Sequence, residues 1–322
     1  MTTVSAVQAV LDAGGAPAGR MLERLEERMM ALASGHGELV GQPAAQTIAA
    51  GGKRLRPLLV FLSAGAPPPE SEGLLRAAVA VELVHSATLV HDDVLDGSPL
   101  RRGRPTVVAV SGRRLATATG DLLFSRAFAE LAGTGSLACV RVLSRASSEL
   151  ARGELIQRED AWRAVPVERY LERCRLKTAV LFAAACQLGA IEGRGPAGEL
   201  AGFGERIGVA FQILDDILDV TGPPERTGKP RGTDLLDGTV TLPLILARQH
   251  DPALAALEPR SVRTPGAAAE ICDRIAATGA LESARARAFS MIAAAKAGLP
   301  SLPERQRAAL ELVADGVVER YT

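Results

Sequence analysis

Two stretches of this chain place carboxylates where they could share a cation. In the first, Val81 to Asp96 (VELVHSATLVHDDVLD), Asp92, Asp93 and Asp96 spell D-D-x-x-D. The second, Phe211 to Asp219 (FQILDDILD), repeats the pattern with Asp215, Asp216 and Asp219. On a helix, Asp92 and Asp96 lie on one face a turn apart, and so do Asp215 and Asp219. Like charges at that spacing repel, and anions are disfavoured at the negative end of a helix. One such triplet arises by chance in a chain of this length with odds of roughly a few in a hundred, and a second is rarer by a similar factor. A solvated helix end therefore accounts for them poorly. A calcium loop fails as well, because Val94 stands where an oxygen ligand is required. Carboxylates without His or Cys favour a hard cation such as Mg²⁺, which keeps its waters and arrives with phosphates.

Basic residues stand beside both motifs. Gly51-Gly-Lys-Arg-Leu-Arg-Pro57 opens a helix with three cations in four residues, and Leu100-Arg-Arg-Gly-Arg-Pro-Thr106 follows the first motif by a short turn. Lys177-Thr178 begins an apolar helix, and Gly228-Lys229-Pro230 follows the second motif. Any one cluster would more often be a solvated face. Together, beside paired carboxylates, they suit a polyanion delivered with metal: arginine forks match phosphate oxygens and lysines supply point charge.

The elements that must position these residues are helices. The chain is rich in Ala, Leu, Glu and Arg, with few β-branched runs. Breakers at 41–45, 65–70, 97–99, 133–136, 193–198, 221–232 and 300–303 divide it into about ten predicted helices. None of these breaks looks like a domain linker, so residues 1–322 are expected to form a single all-α domain. The 37 basic and 37 acidic residues cancel, and aromatics are 3%. That balance argues against nucleic acid or an anionic membrane as partner. Cys139, Cys174, Cys186 and Cys272 are too far apart for a redox or metal motif and read as buried thiols in a reducing compartment. The N-terminus lacks a secretory pattern, and the apolar run between Lys177 and Glu192 is too short to span a bilayer, so a cytoplasmic protein without a transmembrane segment is expected.

From about residue 45 to 250, in motif order, the chain resembles the trans-isoprenyl diphosphate synthases, the polyprenyl synthetase family. The resemblance implies mostly antiparallel helices around a deep central cavity, usually in a homodimer. It implies a prenyltransferase that condenses isopentenyl diphosphate head-to-tail with an allylic diphosphate, releasing pyrophosphate. Asp92 and Asp96 match the metal ligands of the first motif and Asp215 the principal ligand of the second, with Asp93, Asp216 and Asp219 completing a site for three Mg²⁺. Arg101, Lys177 and Lys229 match contacts to the allylic diphosphate, and Lys53, Arg56, His85 and Arg102 those to isopentenyl diphosphate. Thr178 and Gln212 match groups lining the path of the allylic cation. His91 is read as a helix residue without catalytic duty. Thr239 stands where many relatives carry lysine, and Gly97 and Pro99 where many carry acidic residues.

In this family the residues four and five before the first motif form the cavity floor, here Thr88 and Ala87. Their small size resembles the longer-chain synthases and implies a product beyond twenty carbons. A floor raised by Phe124 or Phe128 would instead give a twenty-carbon, geranylgeranyl product. A terpene cyclase shares the fold, but its second metal motif is of the Asn/Ser/Glu type and its cavity is aromatic, whereas this chain has D-D-I-L-D and ten aromatics. A non-catalytic subunit of a heteromeric prenyl synthase is the reading from another class. Such subunits often lose aspartates of the first motif or the Arg-Arg pair, both kept here.

Overall fold

The computed structural model describes residues 3–35, 37–66, 68–101, 103–222 and 230–319. Arg102 and Lys229 fall outside them. Helices follow one another almost throughout: α1 Thr3–Gly14, α2 Ala16–Ser34, α3 Gly37–Ala49, α4 Leu55–Ala64 and α5 Glu72–Asp96. A hairpin of β1 Leu100–Arg101 and β2 Arg104–Pro105 leads into α6 Val107–Ala132, α7 Leu137–Asp160, α8 Val167–Cys174, α9 Val180–Glu192 and α10 Ala197–Thr221. The short α11 Thr233–Leu236, α12 Leu242–Ala247 and α13 Pro252–Ala255 precede α14 Pro265–Ala276, α15 Ala280–Ala297 and α16 Glu304–Glu319. The all-α class is as expected, and among the described residues the only strands are the two of that hairpin.

The chain forms two compact units. The first comprises Met1–Ser147, Leu181–Gly204 and Leu299–Val313. Helix α5 is its axis, packed against α6, α4, α2 and α3. From Leu74 to Ala87 it is buried on nearly every face, and Ala77, Ala78, Ala80 and Ala87, with no accessible surface, let neighbouring backbones close in. Ser71 caps its start by accepting from the Leu74 amide. Its end is set by Gly97 in the left-handed region, φ 62°. The amides of Gly97 and Ser98 both donate to the Asp93 carbonyl, so the helix stops directly after the first motif. The Thr106 hydroxyl donates to the Ser98 carbonyl at 2.6 Å and accepts from the Ala109 amide, tying that stop to the start of α6.

The second unit comprises Ser148–Val180, Glu205–Gly298 and Ala314–Thr322. In it α8 runs into a π-helical turn, Arg175–Ala179, while α12 packs on α15 and α11 on α14. The loop after α11 is fastened from two sides. Trp162 donates its amide to the Gly238 carbonyl at 2.8 Å and lays its indole where any Cβ at Gly238 would fall, 2.3 Å away. The Arg173 guanidinium donates to the Val240 carbonyl.

Three features depart from or refine the sequence expectation. The breaker at 41–45 does not break: Pro43 lies inside α3, which packs on α2, α6 and α5, and that packing outweighs one missing amide donor. The stretch Val167–Glu192, like Glu72–Asp96, is long and apolar enough to cross a membrane by length and composition, contrary to the short run expected after Lys177. Of their most apolar windows 67% and 72% are buried in the protein, as in core helices. All four cysteines are buried thiols, as read from their spacing, and burial pushes Cys139 up to about 11 and Cys186 and Cys272 up to about 12.

Candidate active site

In the first unit the apolar length of α5 is interrupted, one turn before its C-cap, by the first aspartate motif. The three carboxylates are not equivalent. Asp93 points inward, 5% exposed, and accepts from Arg101 Nε at 2.9 Å and Nη2 at 2.8 Å. The β-hairpin accomplishes this by folding Arg101 back over the helix end it has just left. Asp92 is half-buried and Asp96 exposed, on the other face of the same turn.

The second motif, on α10 in the second unit, repeats this division. Asp216 is 4% exposed and receives two hydrogen bonds, from Tyr170 Oη at 2.7 Å and Gln212 Nε2 at 2.8 Å. The Gln212 carbonyl oxygen in turn accepts from the Thr178 hydroxyl at 2.7 Å, which fixes the orientation of the amide. Asp215 and Asp219 are half-buried, and Asp219 also accepts from the Asp234 amide at 3.2 Å. Burial, with Asp215 alongside, pushes the Asp216 carboxyl well above the ordinary carboxylate range, despite the donors from Tyr170 and Gln212. A cation held by its half-buried neighbours would draw it back down.

Lys177 and Thr178 do not simply begin a helix; they sit in the π-turn, a local widening that often marks functional sites. Gly153 on α7 makes room for it, since a Cβ there would lie 2.7 Å from the Lys177 backbone nitrogen. Lys177 Nζ pairs with Glu154 Oε2 at 2.7 Å. Glu154 accepts from Arg158 as well, and although burial works against its charge, Lys177 and Arg158 hold its carboxyl below the usual range.

Of the expected isopentenyl diphosphate contacts, Lys53, Arg56 and His85 belong to the first unit. Lys53 and Arg56 flank the start of α4, and the Arg56 guanidinium stacks 4.6 Å over the buried Phe182 ring. His85, on α5, lines a cavity of about 410 Å³ together with Gly51, Glu82, Asp93, Arg101 and apolar Leu89 and Val107; Lys53 and Arg56 are not part of that lining. Glu82 and His85 have a metal-ligand spacing, but Glu82 is bonded to Arg54. Among the floor residues Ala87 is fully buried, and Thr88, on the Asp92 face, is half-buried with its hydroxyl on the His85 carbonyl. Phe124 stacks on His91 at 5.9 Å, near the level of the first motif, and Phe128 is half-buried one turn on. His91 also lies 3.3 Å from Asp121, so its ring is a contact between α5 and α6.

Among the described residues no three His, Cys, Asp or Glu side chains close on one metal position. The donor set fits a hard divalent ion all the same. Each motif keeps one carboxylate pinned inward and a helical i, i+4 pair nearer solvent, which suits an ion completed by phosphate oxygens and water rather than a protein cage. Sequence reasoning missed Glu154, Tyr170 and Glu82. Their partners lie 23, 46 and 28 residues away, and no local pattern announces such contacts.

Comparison with known proteins agrees with this geometry. The polyprenyl synthetase family profile matches residues 37–274. Over 236 residues the chain is 45% identical to component 2 of heptaprenyl diphosphate synthase from Geobacillus stearothermophilus, covering 72% of this chain and 73% of that one. A decaprenyl diphosphate synthase from Rhodobacter capsulatus superposes with a TM-score of 0.86 at 34% identity over 100% of both chains. A polyprenyl synthase from Caulobacter crescentus, solved with calcium and isoprenyl diphosphate, gives 0.85 at 34% identity over 99% of this chain and 98% of that one. The chain belongs to the polyprenyl synthetase family. Its class is that of the prenyltransferases, and its relatives are synthases of prenyl diphosphates.

Proposed function

We propose that the chain condenses isopentenyl diphosphate head-to-tail with an allylic diphosphate, farnesyl or geranylgeranyl, and extends it beyond twenty carbons. The observation that carries this reading is the repeated D-D-x-x-D arrangement, in which the middle aspartate is pinned by protein donors and the flanking pair stands nearer solvent. Asp92 and Asp96, and Asp215 and Asp219, would hold Mg²⁺, three ions in all; bound there, the metal would neutralise the diphosphate as its carbon–oxygen bond ionises. Asp93 and Asp216, counted with them by the family likeness, complete the metal site and orient these pairs through Arg101 and through Tyr170 and Gln212.

Arg101, Lys177 and Lys229 hold the allylic diphosphate, with Lys177 exchanging Glu154 for phosphate oxygens. Lys53, Arg56, His85 and Arg102 hold isopentenyl diphosphate. Once the allylic cation forms, the isopentenyl double bond attacks it, and the proton lost goes to the departing pyrophosphate, so no side-chain base is required. Thr178 and Gln212 line the path of that cation. Apolar walls keep water from trapping it. Small Ala87 and Thr88 leave room for a long product, and the heptaprenyl and decaprenyl synthases among the relatives support that length. We place the enzyme in the cytoplasm, and as a homodimer; sedimentation of the purified chain checks the oligomeric state.

The test is incubation of the purified chain with Mg²⁺, labelled isopentenyl diphosphate and farnesyl diphosphate, with products resolved by length. A ladder passing twenty carbons supports the reading; one product at twenty carbons moves the floor up to Phe124 and Phe128. A second reading comes from the name of the Geobacillus relative, a component 2: the chain then works only with a partner subunit, and no incorporation by it alone would favour that.

A further inference from the structure

Between Lys53 and Arg56, two of the cations expected on isopentenyl diphosphate, stands a third with a different environment. Arg54 has a left-handed backbone, φ 48° and ψ 36°, which non-glycine residues seldom adopt. It occupies the N-cap of α4, where Ser, Thr, Asp or Asn would bond the first amides, yet its side chain makes no capping bond. The guanidinium turns inward instead and is 6% exposed. Its Nε and Nη2 take both carboxylate oxygens of Glu26 on α2, at 2.5 and 2.9 Å. Its Nη1 donates to Glu82 on α5 at 2.9 Å, and Nη2 also reaches the Ile48 carbonyl near the end of α3 at 3.1 Å.

A buried cation shared by two carboxylates is a poor source of stability, because desolvating Arg54 and Glu82 offsets their attraction. The left-handed backbone is a further cost at the same residue. What the arrangement supplies is geometry. One planar fork, saturated on three sides, ties α2, α3 and α5 to the loop before α4 and fixes the direction of that loop. Glu82 lies three residues before His85 on α5, so Arg54 links the segment bearing Lys53 and Arg56 to the helix turn bearing His85.

We propose that Arg54, held by Glu26 and Glu82, is a positioning residue that fixes the segment bearing Lys53 and Arg56 relative to the helix turn bearing His85, and thereby governs affinity for isopentenyl diphosphate and not for the allylic substrate. The proposal rests on the diphosphate-binding reading above. Arg54→Lys keeps the charge and removes the fork; Glu26→Gln weakens the outer, half-exposed arm and leaves Arg54 and Glu82 in place. Steady-state kinetics with each substrate varied separately is the test, with calorimetric binding of isopentenyl diphosphate and a thermal melt of each variant. For Arg54→Lys the KM of isopentenyl diphosphate rises about tenfold, while the KM of farnesyl diphosphate and kcat stay within about twofold. Glu26→Gln shifts the same constant in the same direction by about threefold. A merely structural role would lower the melting temperature and move both KM values and kcat together; that result, or an unmoved isopentenyl KM in folded variants, overturns the proposal. If Arg54→Lys does not fold, Glu26→Gln decides alone. A wild type that binds no isopentenyl diphosphate removes the functional reading and the proposal with it. Binding by wild type and variants alike removes only the proposal.

Discussion

Within each aspartate triplet the middle residue is buried and its flanking pair stands nearer solvent, and mutation should separate them. Asp92→Ala removes a carboxylate at the surface of α5 that faces the expected ion, and kcat should fall by about 10²–10³-fold, the usual effect of losing one electrostatic contact to a transition state. Asp93→Asn leaves Arg101 facing a neutral amide but disturbs only the orientation of the turn. Its kcat should fall about tenfold, with a higher KM for the allylic diphosphate. Equal losses in the two variants would mean that the middle carboxylate also touches the ion. The motif spacing made all six aspartates legible in the sequence, and Lys177, Thr178 and Gln212 through the family likeness. The inward turn of Asp93 and Asp216 was not legible, because it depends on a hairpin and on Tyr170, one of two tyrosines, set 46 residues from its partner.

Helix packing decides how Lys177 is presented. The π-turn meets α7 at Gly153 with no space for a methyl group, and the two nearest atoms a Cβ would meet are backbone. Gly153→Ala should therefore destabilise the fold by about 1–3 kcal/mol and raise the KM of the allylic diphosphate, read from thermal melts and kinetics. Glu154, one residue on, ties stability to pH. Because Lys177 and Arg158 keep its folded carboxyl below the ordinary value of 4.5, its contribution is complete above that pH and is lost as pH falls through the lower folded value. Glu154→Gln should accordingly differ most from wild type in melting temperature above about pH 5, and the difference should shrink on acidification. Sequence periodicity found most of these helices, and the aspartate motifs marked where two of them end. It misjudged Pro43, whose helix persists through its neighbours, and it could not foresee a π-turn, which shares its composition with an ordinary helix.

Over the whole molecule, the proposed product length calls for a ruler, and the family likeness assigns it to Ala87 and Thr88 on α5. Thr88 is half-buried on the Asp92 face, one turn below the motif, whereas Ala87 is fully enclosed. Thr88→Phe should shorten the longest product by at least one five-carbon unit without abolishing the first condensation, as chromatography of the labelled ladder would show. An unchanged ladder would shift the ruler to Phe124 and Phe128 on α6.

The buried cysteines have a use of their own. Cys139, Cys174, Cys186 and Cys272 are shut away, and burial raises the thiol pKa of each, so at neutral pH the folded chain offers an alkylating reagent almost no thiolate. Cys139 and Cys186 belong to one compact unit, Cys174 and Cys272 to the other. Uptake of a mass tag is then a clock for opening, and digestion after labelling tells which unit opened first. Occupied diphosphate sites would slow that clock in whichever unit the substrate closes.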